Sequence, residues 1–115
     1  MAYYQFNQMP SGGKYEVNDS VAHCVVVEAS SAEAANEIAQ SIGLYFDGIK
    51  SGRDCSCCTD RWVRSIEAEA TDVVCIGNKT LREFLDSPTK NPWFTDKKFT
   101  IHIYDSSGTK ETHET

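Results

Sequence analysis

The stretch Val21-Ala22-His23-Cys24-Val25-Val26-Val27-Glu28, followed by Ala29-Ser30-Ser31-Ala32-Glu33, decides the fold of this chain. Its first part is apolar on both alternating faces, with Val21, His23, Val25 and Val27 on one and Ala22, Cys24 and Val26 on the other. That is the pattern of a central strand covered on both sides. Ser30 with Glu33 three positions later has capping-box spacing, and Gly43 supplies a left-handed stop, so the spacing predicts a helix over residues 31–42. Ala32, Ala35, Ile38, Ala39 and Ile42 recur at helical spacing, and so many alanines imply close approach to a sheet.

Outward from this unit, Trp62–Ile66, Asp72–Ile76 and Phe99–Tyr104 read as strands from their alternation and β-branched content. Tyr3–Phe6 and Lys14–Val17 flank the turn signal Pro10-Ser11-Gly12-Gly13 and suggest a hairpin. Thr80 with Glu83 repeats the capping-box spacing and opens a short helix on Leu81, Phe84 and Leu85 that Pro88 ends. Trp93-Phe94, beyond Pro92, reads as a packed loop anchor. The expectation is an α+β domain whose antiparallel sheet of about four to five strands includes 21–28, 62–66, 72–76 and 99–104. That sheet packs against one main helix, with a second short helix and a cysteine-rich loop. The chain reads as a single domain over 1–115 in which residues 106–115 form a flexible tail.

Composition narrows the function classes. The 115 residues are 40% hydrophobic and 24% charged, ample for one core and ordinary for a globular protein. Eleven Lys+Arg against 17 Asp+Glu give a net charge of -6, which opposes nucleic-acid binding driven by phosphate contacts. The acidic residues are interleaved with Lys50, Arg53, Arg61 and Arg64 rather than gathered, which disfavours a DNA mimic. No apolar run reaches the length of a membrane span, and Met1–Asn7 lacks the features of a secretory signal, so a cytosolic protein is expected.

The chemistry is concentrated in Gly52-Arg53-Asp54-Cys55-Ser56-Cys57-Cys58-Thr59-Asp60-Arg61-Trp62. Cys55 and Cys58 have the C-x-x-C spacing that lets one turn aim two sulfurs at a tetrahedral ion, Cys57 is a third thiol, and Cys24, His23 or Cys75 are the completions. Structural zinc on Cys55, Cys57, Cys58 and Cys24 is one reading. The other is that the loop thiols are simply reduced and that Cys24 and Cys75 are small buried hydrophobes. A redox couple is disfavoured because no helical pattern follows the motif. No histidine is set for nucleophilic catalysis, since His23 and His102 lie on predicted strands and His113 in the tail, and no phosphate loop or paired-carboxylate motif occurs.

Tyr45, Phe46 and Trp62 flank this loop together with Arg53, Asp54, Asp60 and Arg61. Rings with guanidinium groups can stack a base and hold a phosphate, which makes these residues candidates for ligand or partner binding. The plainer reading makes the rings core anchors and treats Arg53–Asp54 and Asp60–Arg61 as solvated local pairs.

Val25-Val26-Val27-Glu28-Ala29, Gly43-x-Tyr45-Phe46-Asp47-Gly48 and Gly52-x-Asp54-Cys55-x-Cys57-Cys58-x-Asp60-Arg61-Trp62 resemble a family of small uncharacterised proteins of tailed bacteriophages. Family members carry Gly after the paired cysteines, as zinc knuckles do, whereas this chain has Thr59. The resemblance implies only a phage accessory protein made in the cytoplasm of the infected bacterium. With no catalytic constellation in the sequence, a non-catalytic protein is expected, as a monomer or small homo-oligomer. Its expected partner is a host protein, one of host defence included. The alternatives are a sponge for a nucleotide-like defence signal and, third, a small thiol-redox or zinc enzyme.

Overall fold

The computed structural model describes residues 1–9, 15–54, 60–77, 79–86 and 99–114. Four strands form the main sheet in the order β1-β2-β5-β6: β1 (Ala2–Asn7), β2 (Cys24–Ala29), β5 (Thr100–Tyr104) and β6 (Lys110–Glu114). Between β2 and β5 the chain forms α1 (Ala32–Ser41), α2 (Gly48–Ser51), a 3-10 turn (Glu67–Glu69), a two-stranded ribbon of β3 (Cys75–Ile76) and β4 (Lys79–Thr80), and α3 (Leu81–Asp86). The fold is α+β.

β2 is central and buried on both faces, as its uniform apolarity predicts. Val25, Val27 and Ala29 join Tyr4, Phe6 and the α1 residues Ala32, Ala35 and Ala39 in one core. Cys24 and Val26 join Ile101, Ile103, Ile76 and Phe84 in a second core on the opposite face, under α3 and the ribbon. The three buried residues of α1 are all alanines, so the helix lies close on the sheet. Ile38 and Ile42 pack at its margin rather than at its centre.

The sheet differs from expectation in its pairings. β1 pairs antiparallel with β2, residues 15–17 of the expected hairpin form no strand while residues 10–14 lie outside the described residues, and β2 pairs parallel with β5, so the sheet is mixed. Residues 72–76 contribute only Cys75–Ile76, and these belong to the ribbon. Residues 62–66 join no sheet. Trp62 and Ser65 are buried while Val63, Arg64 and Ile66 are exposed, a spacing that strand alternation does not produce. The Asn36 side chain takes the place of a partner strand here. Its Nδ2 donates to Ser65 O at 3.1 Å and its Oδ1 accepts from Ser65 N at 2.8 Å.

The N-terminus of α1 is capped one residue later than the spacing suggested. Ser31, not Ser30, receives the Ala34 amide at 3.1 Å. The carboxylate of the box comes from far away: Glu67 Oε1 accepts from Ala32 N at 2.6 Å, and its Oε2 accepts from Tyr4 Oη at 2.9 Å. At α3 the box is local, as read. Thr80 Oγ1 accepts from Glu83 N, and Glu83 Oε1 accepts from Thr80 N, both at 3.2 Å.

Residues 106–114 are not a loose tail. Asp105–Thr109 make a tight turn with Gly108 in the left-handed region, and β6 pairs antiparallel with β5 along its whole length. Alternation is absent from Lys110–Glu114 because both its faces are largely exposed.

Candidate functional site

After α1 the chain turns at Gly43, buries Leu44, and places Tyr45 and Phe46 before the single turn α2. Asp47 enters α2 in the left-handed conformation at φ 58°, which asparagine and aspartate tolerate better than most residues. Gly48 O then accepts from both Arg53 N and Asp54 N, at 2.8 and 2.9 Å, and this swings the Asp54 carboxylate back over α2. A Cβ on Gly48 would lie 1.9 Å from Asp54 Oδ2 and 2.8 Å from Tyr45 Cε2, so the close approach requires glycine.

The Asp54 side chain is 0% exposed and that of Arg61 is 11% exposed. Two such charges tolerate burial only when hydrogen-bonded. Tyr45 Oη donates to Asp54 Oδ1 at 2.5 Å and accepts from Arg61 Nε at 3.0 Å, so the phenol stands between the two charges, which lie 3.8 Å apart. Asp54 Oδ2 accepts from the Arg61 backbone N at 2.8 Å. Arg61 Nη1 donates onward to Gln8 Oε1 at 2.8 Å. Gln8 uses all its capacity: Oε1 also accepts from Glu16 N, and Nε2 donates to Glu16 O and Ala22 O. Burial, and after it the bond to Asp54, pushes the Tyr45 phenol above its usual range, which keeps it a neutral donor.

The structure thus joins Tyr45, Asp54 and Arg61 in one buried network and adds Gln8, which sequence reading missed. Gln8 carries no local signal, because every partner it has is brought by the fold. Neither Arg53–Asp54 nor Asp60–Arg61 is the solvated local pair expected of it. Arg53 lays its guanidinium 3.9 Å from the Tyr45 ring centroid, and Asp60 Oδ1 accepts from Ile49 N at 3.0 Å in the first turn of α2. Phe46 and Trp62 are core anchors, Trp62 being 1% exposed, and Phe46 packs 6.1 Å from Phe6. Arg64 sits over the outer side of Phe46 and bonds Asp47 at 2.7 Å.

Cys55, Cys57 and Cys58 lie outside the described residues, as do Trp93 and Phe94. Cys24 and Cys75 are free thiols. Cys24 points into the core on the face of the sheet opposite Phe46 and Trp62, and burial pushes its thiol up to about 12. It packs there with Val26, Ile76, Phe84, Ile101 and Ile103. Among the described residues no three His, Cys, Asp or Glu side chains gather as a metal site. His23 Nδ1 accepts from Thr100 N at 3.1 Å, and His102 bonds Thr112 Oγ1 and Asn18 O. Both imidazoles are held within the sheet region. Among the described residues no helix is long and apolar enough to cross a membrane.

What this arrangement does is mechanical. Asp54 and Arg61, on either side of residues 55–59, are bonded directly to each other and through Tyr45, and Arg61 O accepts from Met9 N at 2.9 Å. Both Asp54 oxygens and the Arg61 Nε face protein groups, so the network fixes the backbone here. No curated protein and no solved structure gives a match to the chain. A family match covers residues 1–114, and on that match the chain belongs to the family described as Domain of unknown function (DUF7296).

Proposed function

We propose that this chain is a non-catalytic binding protein whose partner is another protein, acting as a phage accessory factor on a host protein in the bacterial cytoplasm. One observation carries the reading. Tyr45, Asp54 and Arg61, three of the residues that sequence alone nominates for ligand binding, are bonded to one another in a buried clamp, while side chains around the clamp face outward. Arg53 rests on Tyr45, Arg64 rests on Phe46, and Val63 and Ile66 are 66% and 57% exposed. A surface held rigid by buried bonds loses little conformational entropy on docking, and paired guanidinium and aliphatic groups suit a protein surface. A sponge for a nucleotide-like signal would use Tyr45, Phe46 and Trp62 to stack a base, whereas Trp62 is buried in the core and Arg53 and Arg64 already lie over Tyr45 and Phe46.

Co-purification from host cells of tagged wild type and of Val63→Asp and Arg64→Glu, with a thermal-shift series of nucleotide second messengers, tests the reading. A host protein should be retained by wild type and lost from both variants, while no nucleotide moves the melting temperature. A nucleotide at a hundred times its Kd would add about 2.7 kcal/mol of stability. Such a shift, with no protein retained in a Val63- or Arg64-dependent way, overturns the protein-binding reading in favour of the sponge.

A further inference from the structure

Three of the chain's four arginines engage the segment Tyr45-Phe46-Asp47. Arg61, 11% exposed, donates from Nε to the Tyr45 hydroxyl and lies 3.8 Å from Asp54. Arg64 stands over the Phe46 ring and bonds the Asp47 carboxylate. Arg53 is held by its face: its Cζ is 3.9 Å from the centroid of the Tyr45 ring, and the residue is exposed. A guanidinium laid on a ring keeps its N–H donors in its own plane, turned along the ring rather than into it.

The Tyr45 ring is itself fixed. Its hydroxyl donates to Asp54 Oδ1 at 2.5 Å and accepts from Arg61 Nε at 3.0 Å, and Gly48 passes so near its edge that a Cβ there would lie 2.8 Å from Tyr45 Cε2. A cation resting on a fixed ring is oriented before a ligand arrives and gives up little side-chain entropy when one binds. The surrounding charge favours an anion. Residues 47–64 hold four basic side chains, Lys50, Arg53, Arg61 and Arg64, against three acidic ones, Asp47, Asp54 and Asp60, in a chain whose net charge is -6. Each of those carboxylates is already bonded: Asp47 to Arg64, Asp54 to Tyr45 and the Arg61 amide, and Asp60 to Ile49 N.

We infer that Arg53 is an anchor of the protein-binding surface, and that its N–H fork takes the carboxylate of an aspartate or glutamate side chain on the partner. That a protein carries this carboxylate rests on the proposed protein-binding function. The planar guanidinium matches a carboxylate at two points, and the fixed ring sets the direction from which it is met. A phosphate offers similar geometry, but a nucleic acid brings a run of negative charge against a chain of net charge -6. One carboxylate on a mixed protein surface does not. Oriented arginines are enriched among the few contacts that dominate protein interfaces.

A capped peptide of alternating glutamate and glycine, its glutamine counterpart and an oligodeoxythymidine of equal length serve as probes, with binding followed by magnetic resonance of the isotope-labelled full chain. The glutamate peptide should bind and shift the Arg53 Nε–H and Tyr45 ring signals, while the glutamine peptide moves neither. Arg53→Glu should weaken binding of the glutamate peptide about tenfold or more, and Arg53→Lys, which keeps the charge without the fork, about fivefold. Arg82→Glu, the same reversal on α3, should stay within about twofold of wild type, with circular dichroism showing that each variant is folded. No binding of the glutamate peptide up to about 10 mM overturns the inference. So does an equal loss in Arg53→Glu and Arg82→Glu, wild-type affinity in Arg53→Lys, or tighter binding of oligodeoxythymidine than of the glutamate peptide. The contact and the function fail separately. A host protein retained by wild type and Arg53→Glu alike leaves protein binding standing and overturns the Arg53 contact. Peptide binding through Arg53 with no host protein retained supports the carboxylate contact and overturns protein binding.

Discussion

The two faces of the main sheet are closed in different ways. On one, α1 contributes only alanine methyls at its buried positions, and besides the local Ser31 cap its end is fixed by Glu67, far along the chain. On the other, α3 is capped by its own Thr80 and Glu83, and the contact is made by large side chains, with Phe84 and Phe99 5.4 Å apart. A helix that approaches closely through small residues gains little from side-chain shape. Its position is then set by polar bonds that reach across the fold: Glu67 to Ala32 and Tyr4, Asn36 to Ser65, and the network of Tyr45, Asp54, Arg61 and Gln8 beyond its C-terminus. A helix that presents aromatic rings needs less of this.

The largest expected effect is on the close-packed face. Ala39 is fully buried, and Ala39→Asp places a carboxylate within the apolar core. The cost of several kcal/mol rivals the whole stability of a small domain, so cooperative melting should be lost. Arg82→Asp on the exposed side of α3 should melt as wild type does. Equal behaviour of the two variants would mean that α1 is not the helix that closes the core.

Gly48→Ala comes next. The added methyl overlaps the Asp54 carboxylate and the Tyr45 ring, and the clamp has to shift to accept it. A loss of about 2–3 kcal/mol by urea unfolding is expected. Gly108→Ala, also a glycine-to-alanine change but with open space around its Cβ position, bears only backbone strain and should cost less. An equal loss at both positions would show that the clamp is not tightly closed.

A third comparison sets the remote cap against the local one. Glu67→Ala unpairs both the Ala32 amide and the Tyr4 hydroxyl, and should cost about 1–2 kcal/mol. Glu83→Ala affects only its own exposed turn and should cost less. The reverse order in unfolding midpoints would make Glu67 a surface residue with incidental contacts.

This contrast also explains what the sequence disclosed. β2, the apolar stripe of α1 and the Thr80–Glu83 box were legible because their determinants lie within a few residues of one another. The cap of α1 was misread by one position for the same reason: Glu33 supplied the expected spacing, while the working carboxylate is Glu67. Tyr45, Asp54 and Arg61 were legible as neighbours of one loop, yet their relation was not visible. Charges adjacent in sequence suggested local solvated pairs, and only the turn at Gly48 turns Asp54 inward to Arg61. Gln8 and the pairing of β2 with β5 depend wholly on distant partners and left no local trace.

The smallest effect is on acid stability. The Glu83 carboxyl is held below its usual range of about 4.5 by the Thr80 hydroxyl, Glu28 by the Ser106 amide, and Asp105 below about 3.8 by the Ser107 hydroxyl. Each depressed carboxyl contributes stability that is present above its unfolded-state value and is lost as pH falls through its lower folded value. Urea midpoints should therefore decline below about pH 4.5, and Asp105→Asn should make that decline shallower. A variant that declines as steeply as wild type would remove Asp105 from this account.

The parallel seam between β2 and β5 has a consequence for how the chain reaches this state. His23 and Thr100, bonded at the start of the seam, are separated by 77 positions, and the length-dependent entropy of closing so long a loop is about 4 kcal/mol. The hairpins β1–β2 and β5–β6 need no such closure. During synthesis β1, β2 and α1 emerge before β5, and the second edge of β2 waits for its neighbour until residues 100–104 have left the ribosome. Assembly is therefore late and cooperative, with the rate set by the meeting of two preformed strand pairs. Until then the protein's most aggregation-prone surface is the one that ends as its best-protected interior.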